Sequence, residues 1–246
     1  MLEPRLTPEA DALAAVQRIV AGHNAGRLRV LEAGCGSLPR EIDLGDDVHL
    51  VGIDISEDQL RRNEALDERV LGDLQTHAFA PAEFDLVLCW NVLEHLPQPE
   101  RALDNFRRAT SPGGLIVLKL PNVLSAKGLV TKFTPHGFHV WVYRRLLHYP
   151  NAGKEGYTPF RTFLRWSTAP HGLVAYARRH GLAVEYLATY EADRQTALRS
   201  RLRLTGRPWR ALTRLVRSAS RSRLDLEGTE VVAVLRNGPS ARAAGG

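Results

Sequence analysis

The chain has 246 residues, 44% of them apolar and 24% charged, proportions that exclude wholesale disorder and fit one α/β domain with an appendage. No apolar run approaches the roughly 18 residues of a membrane span. The N-terminal segment carries early acids and no apolar stretch followed by small residues, so no secretory leader is expected and a cytoplasmic location is. The net charge of +6 is local: residues 194–223 hold ten Arg and no acid, which leaves 23 basic against 27 acidic residues elsewhere. That argues against a general nucleic-acid-binding surface and for one anion-seeking element. Cys35 and Cys89 are the only cysteines; they suit a reducing compartment, cannot close a tetrahedral zinc site alone, and no metal is expected.

In chain order, Leu13, Val16 and Ile19/Val20 recur at helical spacing, so residues 7–22 read as an amphipathic helix, with Thr7-Pro8 as its cap and first position. Short apolar runs then alternate with helical stretches. Strands are expected at 29–33, 49–54, 68–72, 84–90, 114–120, 182–190 and 230–236, and helices at 57–66, 98–109 and 171–180. Unbroken apolar runs of this kind suit parallel strands covered on both faces, and their alternation with helices predicts a doubly wound sheet. Two stretches interrupt the pattern. Residues 122–170 hold nine of the 17 aromatics, and residues 192–225 hold the arginines, which Gly206 and Pro208 should divide into two helices. The organisation expected is a cofactor half (1–121), an aromatic cap (122–170), the remainder of the same domain (171–238) and a tail (239–246).

The first strand ends in Leu31-Glu32-Ala33-Gly34-Cys35-Gly36. Two glycines after a buried strand let the backbone turn tightly and approach a ligand, although glycines there also serve as a plain turn. A dinucleotide fingerprint wants a further glycine three residues on. Gly36-Ser37-Leu38-Pro39 has none, which argues against a nicotinamide cofactor. The second strand ends at Asp54, 18 residues beyond Gly36, where a carboxylate can accept both hydroxyls of a ribose. The alternative is that Asp54 only opens the next helix, with Ser56 as its cap. Gly72-Asp73-Leu74 follows the third strand, where it could meet an adenine amine. Phe84 to Trp90 then leads into Asn91-Val92-Leu93-Glu94-His95.

In this order and spacing the four signals resemble the class I S-adenosylmethionine-dependent methyltransferases, over residues 29–122. The resemblance implies a Rossmann-like, mostly parallel seven-stranded sheet of order 3-2-1-4-5-7-6 with the seventh strand antiparallel, and S-adenosylmethionine as cofactor. It assigns Glu32, Gly34 and Gly36 to the methionine part of the cofactor and Asp54 to the ribose. Ile55, Asp73 and Leu74 fall to the adenine, and Asn91 with the segment through His95 lies beneath the sulfonium. Glu94 and His95 could equally be structural.

Sites in open parallel sheets lie beyond the carboxyl ends of the strands, and the aromatic insertion leaves the fifth strand there. It is expected to form the acceptor pocket, or else to fold around its own aromatic core. His136 and His139 are the candidate bases, since imidazole side chains titrate near neutrality; Pro135 and Gly137 argue against regular helix before residue 138, so one should face the acceptor, His136 being nearer the loop tip. His171 is a weaker candidate. In the arginine segment Leu198, Leu202, Trp209, Leu212 and Val216 form a stripe at helical steps, with Arg199, Arg203, Arg210, Arg214, Arg217 and Arg221 off it. Such a helix can lie on an anionic membrane, bind a lipid-linked substrate or phosphates, or pack on its own domain. The expected function is methyl transfer to a small molecule, an oxygen of a sugar, glycolipid or secondary metabolite. RNA methylation and non-catalytic cofactor binding are the alternatives.

Overall fold

The computed structural model describes residues 4–23, 26–37, 41–145, 148–154, 159–201, 203–220 and 224–238. The expected tail, Leu202 of the expected stripe and Arg221 off it lie outside them. The elements run β1 (Arg5–Leu6), α1 (Glu9–His23), β2 (Leu28–Ala33), β3 (Val48–Asp54), α2 (Glu57–Arg62), β4 (Glu68–Leu71), β5 (Phe84–Trp90), α3 (Pro99–Ala109) and β6 (Thr110–Pro121). Then follow α4 (Ala126–Phe133), α5 (His136–Arg145), α6 (Pro170–Arg179), β7 (Ala183–Tyr190), α7 (Asp193–Arg201), α8 (Gly206–Ala219) and β8 (Glu230–Arg236).

The strands form one sheet in the order β1-β7-β8-β6-β5-β2-β3-β4. Leu31 of β2 lies opposite Val51 and Val87 in parallel register, whereas β8 runs antiparallel to both its neighbours. Each of the seven expected segments is a strand, and without β1 their order is the expected one. The expectation of seven is corrected to eight. Arg5–Leu6 pairs in parallel with Ala188–Thr189 at the sheet edge, and two residues are too few to show an alternation. The start of α1 is corrected for the same reason. The Thr7 N–H continues the edge pairing by donating to the Thr189 carbonyl (3.0 Å), and its hydroxyl has no partner among the described residues.

Alternate side chains of the central strands feed two cores. On one face Leu31, Val51, Val87 and Ile116 pack with Leu103 and Phe106 of α3 and Leu173 of α6. On the other, Val30, Leu86 and Val117 pack with Ala12, Val16 and Val20 of α1. Helix α3 forms because Pro99 suits a first turn, and Ala102, Leu103 and Phe106 return to one face at helical spacing. Each such buried large side chain stabilises by about 1.5–3 kcal/mol. Helix α2 stops at Arg62, short of the expected residue 66. The Asn63 side chain leaves the helix to donate to the Gly36 carbonyl at 3.1 Å.

The insertion after β6 departs most from expectation. Its inner contacts are aliphatic, made by Val123, Leu124, Leu164 and Ala169. Phe133, Phe138, Trp141, Phe160 and Trp166 are exposed, and α5 buries no residue. A buried aromatic core does not describe these side chains. Helix α5 also begins at His136, earlier than expected. Pro135 sits before the first turn, where its missing N–H costs nothing, and its carbonyl accepts the Phe138 N–H at 2.9 Å. The arginine segment does divide into two helices, α8 starting at Gly206 with φ +75°. No helix among the described residues is long and apolar enough to cross a membrane.

Candidate cofactor and acceptor site

The turn after β2 is built by two glycines in the left-handed region, Gly34 at φ +70° and Gly36 at φ +52°. A β-carbon on Gly34 would come within 2.5 Å of a Val92 methyl, so that position excludes a side chain on two counts. At Gly36 the same β-carbon would meet nothing within 4 Å. The turn is tied to β3: Gly34 and Cys35 donate to the Ile53 carbonyl, and Gly36 donates to Asp54 Oδ2 at 3.0 Å. Asp54 Oδ1 accepts from the Ser56 N–H at 2.9 Å, while Ser56 caps α2 by accepting from Gln59.

Asp54 therefore has a structural role. It organises the turn and the helix start, and each oxygen keeps a lone pair, since a carboxylate has about four acceptor positions. Ile55 beside it is 77% exposed, an apolar surface open to a flat ring. Asp73 spends its carboxylate on Gln75, through the backbone N–H at 2.8 Å and the side-chain amide. The Leu74 side chain lies in the core with Phe79 and Ile53, so only its backbone can face a ligand. Glu32, half-buried at the end of β2, adds negative charge near Cys35, whose thiol burial pushes up to about 12. A site with an open glycine turn, spare carboxylate lone pairs and an exposed isoleucine fits a nucleoside with a cationic tail.

Asn91 follows β5 in the left-handed region (φ +55°), a conformation asparagine tolerates, and is exposed at the same rim. Glu94 and His95 form a 3-10 turn. Glu94 is 3% exposed, and its Oε2 has no hydrogen-bond partner among the described residues. Burial, with the Glu230 carboxylate nearby, raises its carboxyl to about 8, against the opposing pull of Lys127. Burial lowers His95, whose Nδ1 lies 2.8 Å from the Arg161 carbonyl.

A polar group at the ends of β5 to β8 escaped the sequence reading. Trp90 pairs across with Lys119, and Tyr190 with Glu230. Lys119, 7% exposed, bonds to Glu41, and Lys127 bonds to Glu230 at 2.6 Å. The indole N–H of Trp90 and the hydroxyl of Tyr190 are buried without partners among the described residues. The available signal was Lys119, a lone charge inside an apolar strand. His136 is exposed at the start of α5. His139 is half-buried, with Nε2 2.8 Å from the Thr134 hydroxyl. That hydroxyl donates its one proton to the Val130 carbonyl at 2.6 Å. It must accept from His139, which leaves Nδ1 as the unprotonated nitrogen. His171 lies exposed in the first turn of α6, away from this pair in sequence.

A mostly parallel sheet with one reversed strand, β8, and with a glycine turn after one central strand and a carboxylate after the next, fits an α/β domain for a nucleoside cofactor. Residues 31–118 match the family model described as a methyltransferase domain. The ubiquinone biosynthesis O-methyltransferase of Pseudomonas aeruginosa is 27% identical over 175 residues, covering 64% of this chain and 65% of that protein. The protein of the same name from Xylella fastidiosa is 28% identical, covering 73% and 69%. This chain thus spans just under two thirds of the length of the Pseudomonas relative. Among solved structures, an S-adenosylmethionine-dependent methyltransferase from Mesorhizobium loti superposes with a TM-score of 0.52 at 18% identity, covering 93% of this chain and 97% of that one. Phosphoethanolamine N-methyltransferase 2 of Haemonchus contortus, solved with S-adenosylmethionine, gives 0.56 at 16%, covering 94% and 53%. Residues 31–118 thus resemble a methyltransferase domain, and the fold is the one that S-adenosylmethionine-dependent methyltransferases share.

Proposed function

We propose that this chain transfers the methyl group of S-adenosylmethionine to an oxygen of a small molecule, a sugar, glycolipid or secondary metabolite, held at the carboxyl rim between β5, β6 and α5. The observation that carries the reading is the bracket of Gly34, Gly36 and Asp54, opening on the same rim as the insertion after Pro121. The O-methyltransferase names of the two relatives support an oxygen acceptor. The excess of acids outside residues 194–223 speaks against RNA.

In this reading Gly34, Gly36 and Glu32 hold the amino-acid part of the cofactor. Asp54 holds the ribose, with Ile55 and the Asp73–Leu74 backbone at the adenine and Asn91 beneath the sulfonium. When bound, the cofactor supplies an electrophilic methyl group whose leaving group is a neutral thioether. The protein aligns the acceptor oxygen behind that methyl and excludes water, effects that together reach about 7–11 kcal/mol. His139 takes the hydroxyl proton at Nδ1, and Thr134 fixes its tautomer. His136, solvated at the helix start, serves the acceptor's entrance.

The test is S-adenosylhomocysteine release with a pool of hydroxylated metabolites. His139→Ala should lower turnover by about 10²–10⁴-fold, with recovery at high pH where the acceptor ionises unaided. Cofactor affinity should not change. Wild-type turnover in that variant at every pH removes His139 as base. Cofactor binding without turnover on any pool makes the chain a non-catalytic binder.

A further inference from the structure

Helix α8 exposes three stripes that its sequence keeps separate. Trp209, Thr213, Val216 and Ser220, at steps of four and three, are half-buried and face the domain. Trp209 donates to Glu227 at 2.8 Å, and Arg217 meets Asp225 at 3.3 Å. Pro208, Leu212, Leu215 and Ala219 form a second stripe by the same spacing. Leu212 is 44% and Leu215 66% exposed, and no residue of the helix is buried. Arg207, Arg210, Arg214 and Arg217 form the third; among the described residues no acid pairs with the first three.

We propose that α8 docks this protein on an anionic lipid bilayer. An apolar stripe flanked by a row of guanidinium groups matches the boundary between acyl chains and acidic headgroups. The charge is complementary only here, since the rest of the chain carries more acids than bases. Phosphate recognition by RNA would use the arginines and leave Leu212 and Leu215 in water, so the leucines favour the bilayer. The helix also hangs from the active rim. Glu230, where its loop rejoins the sheet, pairs with Pro121, where the insertion departs. Leu224 packs on the Val123–Leu124 cluster, and Asp225 donates to the Leu124 carbonyl at 3.2 Å. Docking therefore holds the rim near the headgroups, where a lipid-linked acceptor would be met. That last point rests on the proposed methyl transfer, whereas the docking does not.

The full chain is sedimented with vesicles of phosphatidylcholine alone and of phosphatidylcholine mixed with phosphatidylglycerol. Binding is expected only to the acidic vesicles and should weaken as salt rises, because exposed charges are screened over about 8–10 Å. Replacing Arg207, Arg210, Arg214 and Arg217 by Gln should cost on the order of fivefold in partitioning per arginine. The double variant Leu212→Gln/Leu215→Gln should lose at least about tenfold. All these side chains are exposed, and circular dichroism with calorimetric cofactor binding checks that each variant is folded. Equal binding to neutral and acidic vesicles, binding to neither, or unchanged binding by either variant overturns the proposal. So does self-association through the leucine stripe, or RNA competing off the vesicles while the leucine variant binds normally. Acidic-vesicle binding by a protein without turnover would leave the docking standing and remove the methyl-transfer reading.

Discussion

Asp54 holds the glycine turn and the start of α2 through two backbone N–H groups, 3.0 and 2.9 Å away. Ribose hydroxyls would be added to these bonds rather than exchanged for them. Asp54→Ala should thus lose both the hydroxyl contacts and the pre-formed turn, at roughly 1.5–3 kcal/mol per charge-assisted bond at most. Calorimetry should find S-adenosylmethionine affinity reduced at least tenfold, on the order of 1.4 kcal/mol or more. Asp54→Asn, which keeps one acceptor oxygen, should fall between. Unchanged affinity in the folded alanine variant would remove Asp54 from the ribose. Glu94 makes a prediction of opposite character. Its carboxyl is raised from 4.5 to about 8 in the folded chain, so the native state binds more protons than the unfolded one over that range. Stability contributed this way is full below the unfolded value and is lost as pH rises through the folded one. Glu94→Gln should therefore gain on the wild type steadily between about pH 5 and pH 8 in urea unfolding. A constant difference across that range would mean that Glu94 is ionised and paired.

At the level of elements, the insertion and the arginine segment are joined by one residue. Asn122, 1% exposed, donates to the Gly228 carbonyl at 2.7 Å and accepts from the Leu124 N–H at 3.0 Å. Its own carbonyl accepts from the Ser125 hydroxyl at 2.7 Å, and Ser125 in turn caps α4. The exit of β6, the start of α4 and the loop before β8 are thus fixed together below the rim. Asn122→Ala strands two buried backbone groups, each worth about 1–3 kcal/mol. Its urea midpoint should drop while the slope stays constant, and cofactor affinity should persist because the glycine turn lies on β2. A lost midpoint with lost cofactor binding would show that the two halves of the rim are not independent.

Across the whole molecule, burial and function are segregated. Both cores lie on the sheet, between α1 on one face and α3 and α6 on the other. Helices α5 and α8, which bury no residue, stand at the carboxyl rim. The same separation governs charge, with the arginines concentrated in the connection between β7 and β8. The sheet supplies rigidity, so the outer helices are free to present apolar and cationic surface that a core would consume.

The strands were legible because their unbroken apolar runs have no other way to be buried. The glycine turn with its acid was legible because conformational freedom and charge belong to residue types. Tertiary structure alone decided the rest. Edge strand β1 exists only because β7 offers a free row of backbone groups. Leu74 faces the core because the Asp73 turn points it there. Phe133, Phe138, Trp141, Phe160 and Trp166 lie outward because the aliphatic Val123–Leu164 cluster already fills the space beneath them. The raised carboxyl of Glu94 comes first from its burial and then from Glu230, 136 positions away in sequence and brought near by the antiparallel return of β8. Local pattern encodes which residues must be buried; which polar groups meet at the rim depends on strand order, and no stretch of sequence contains that.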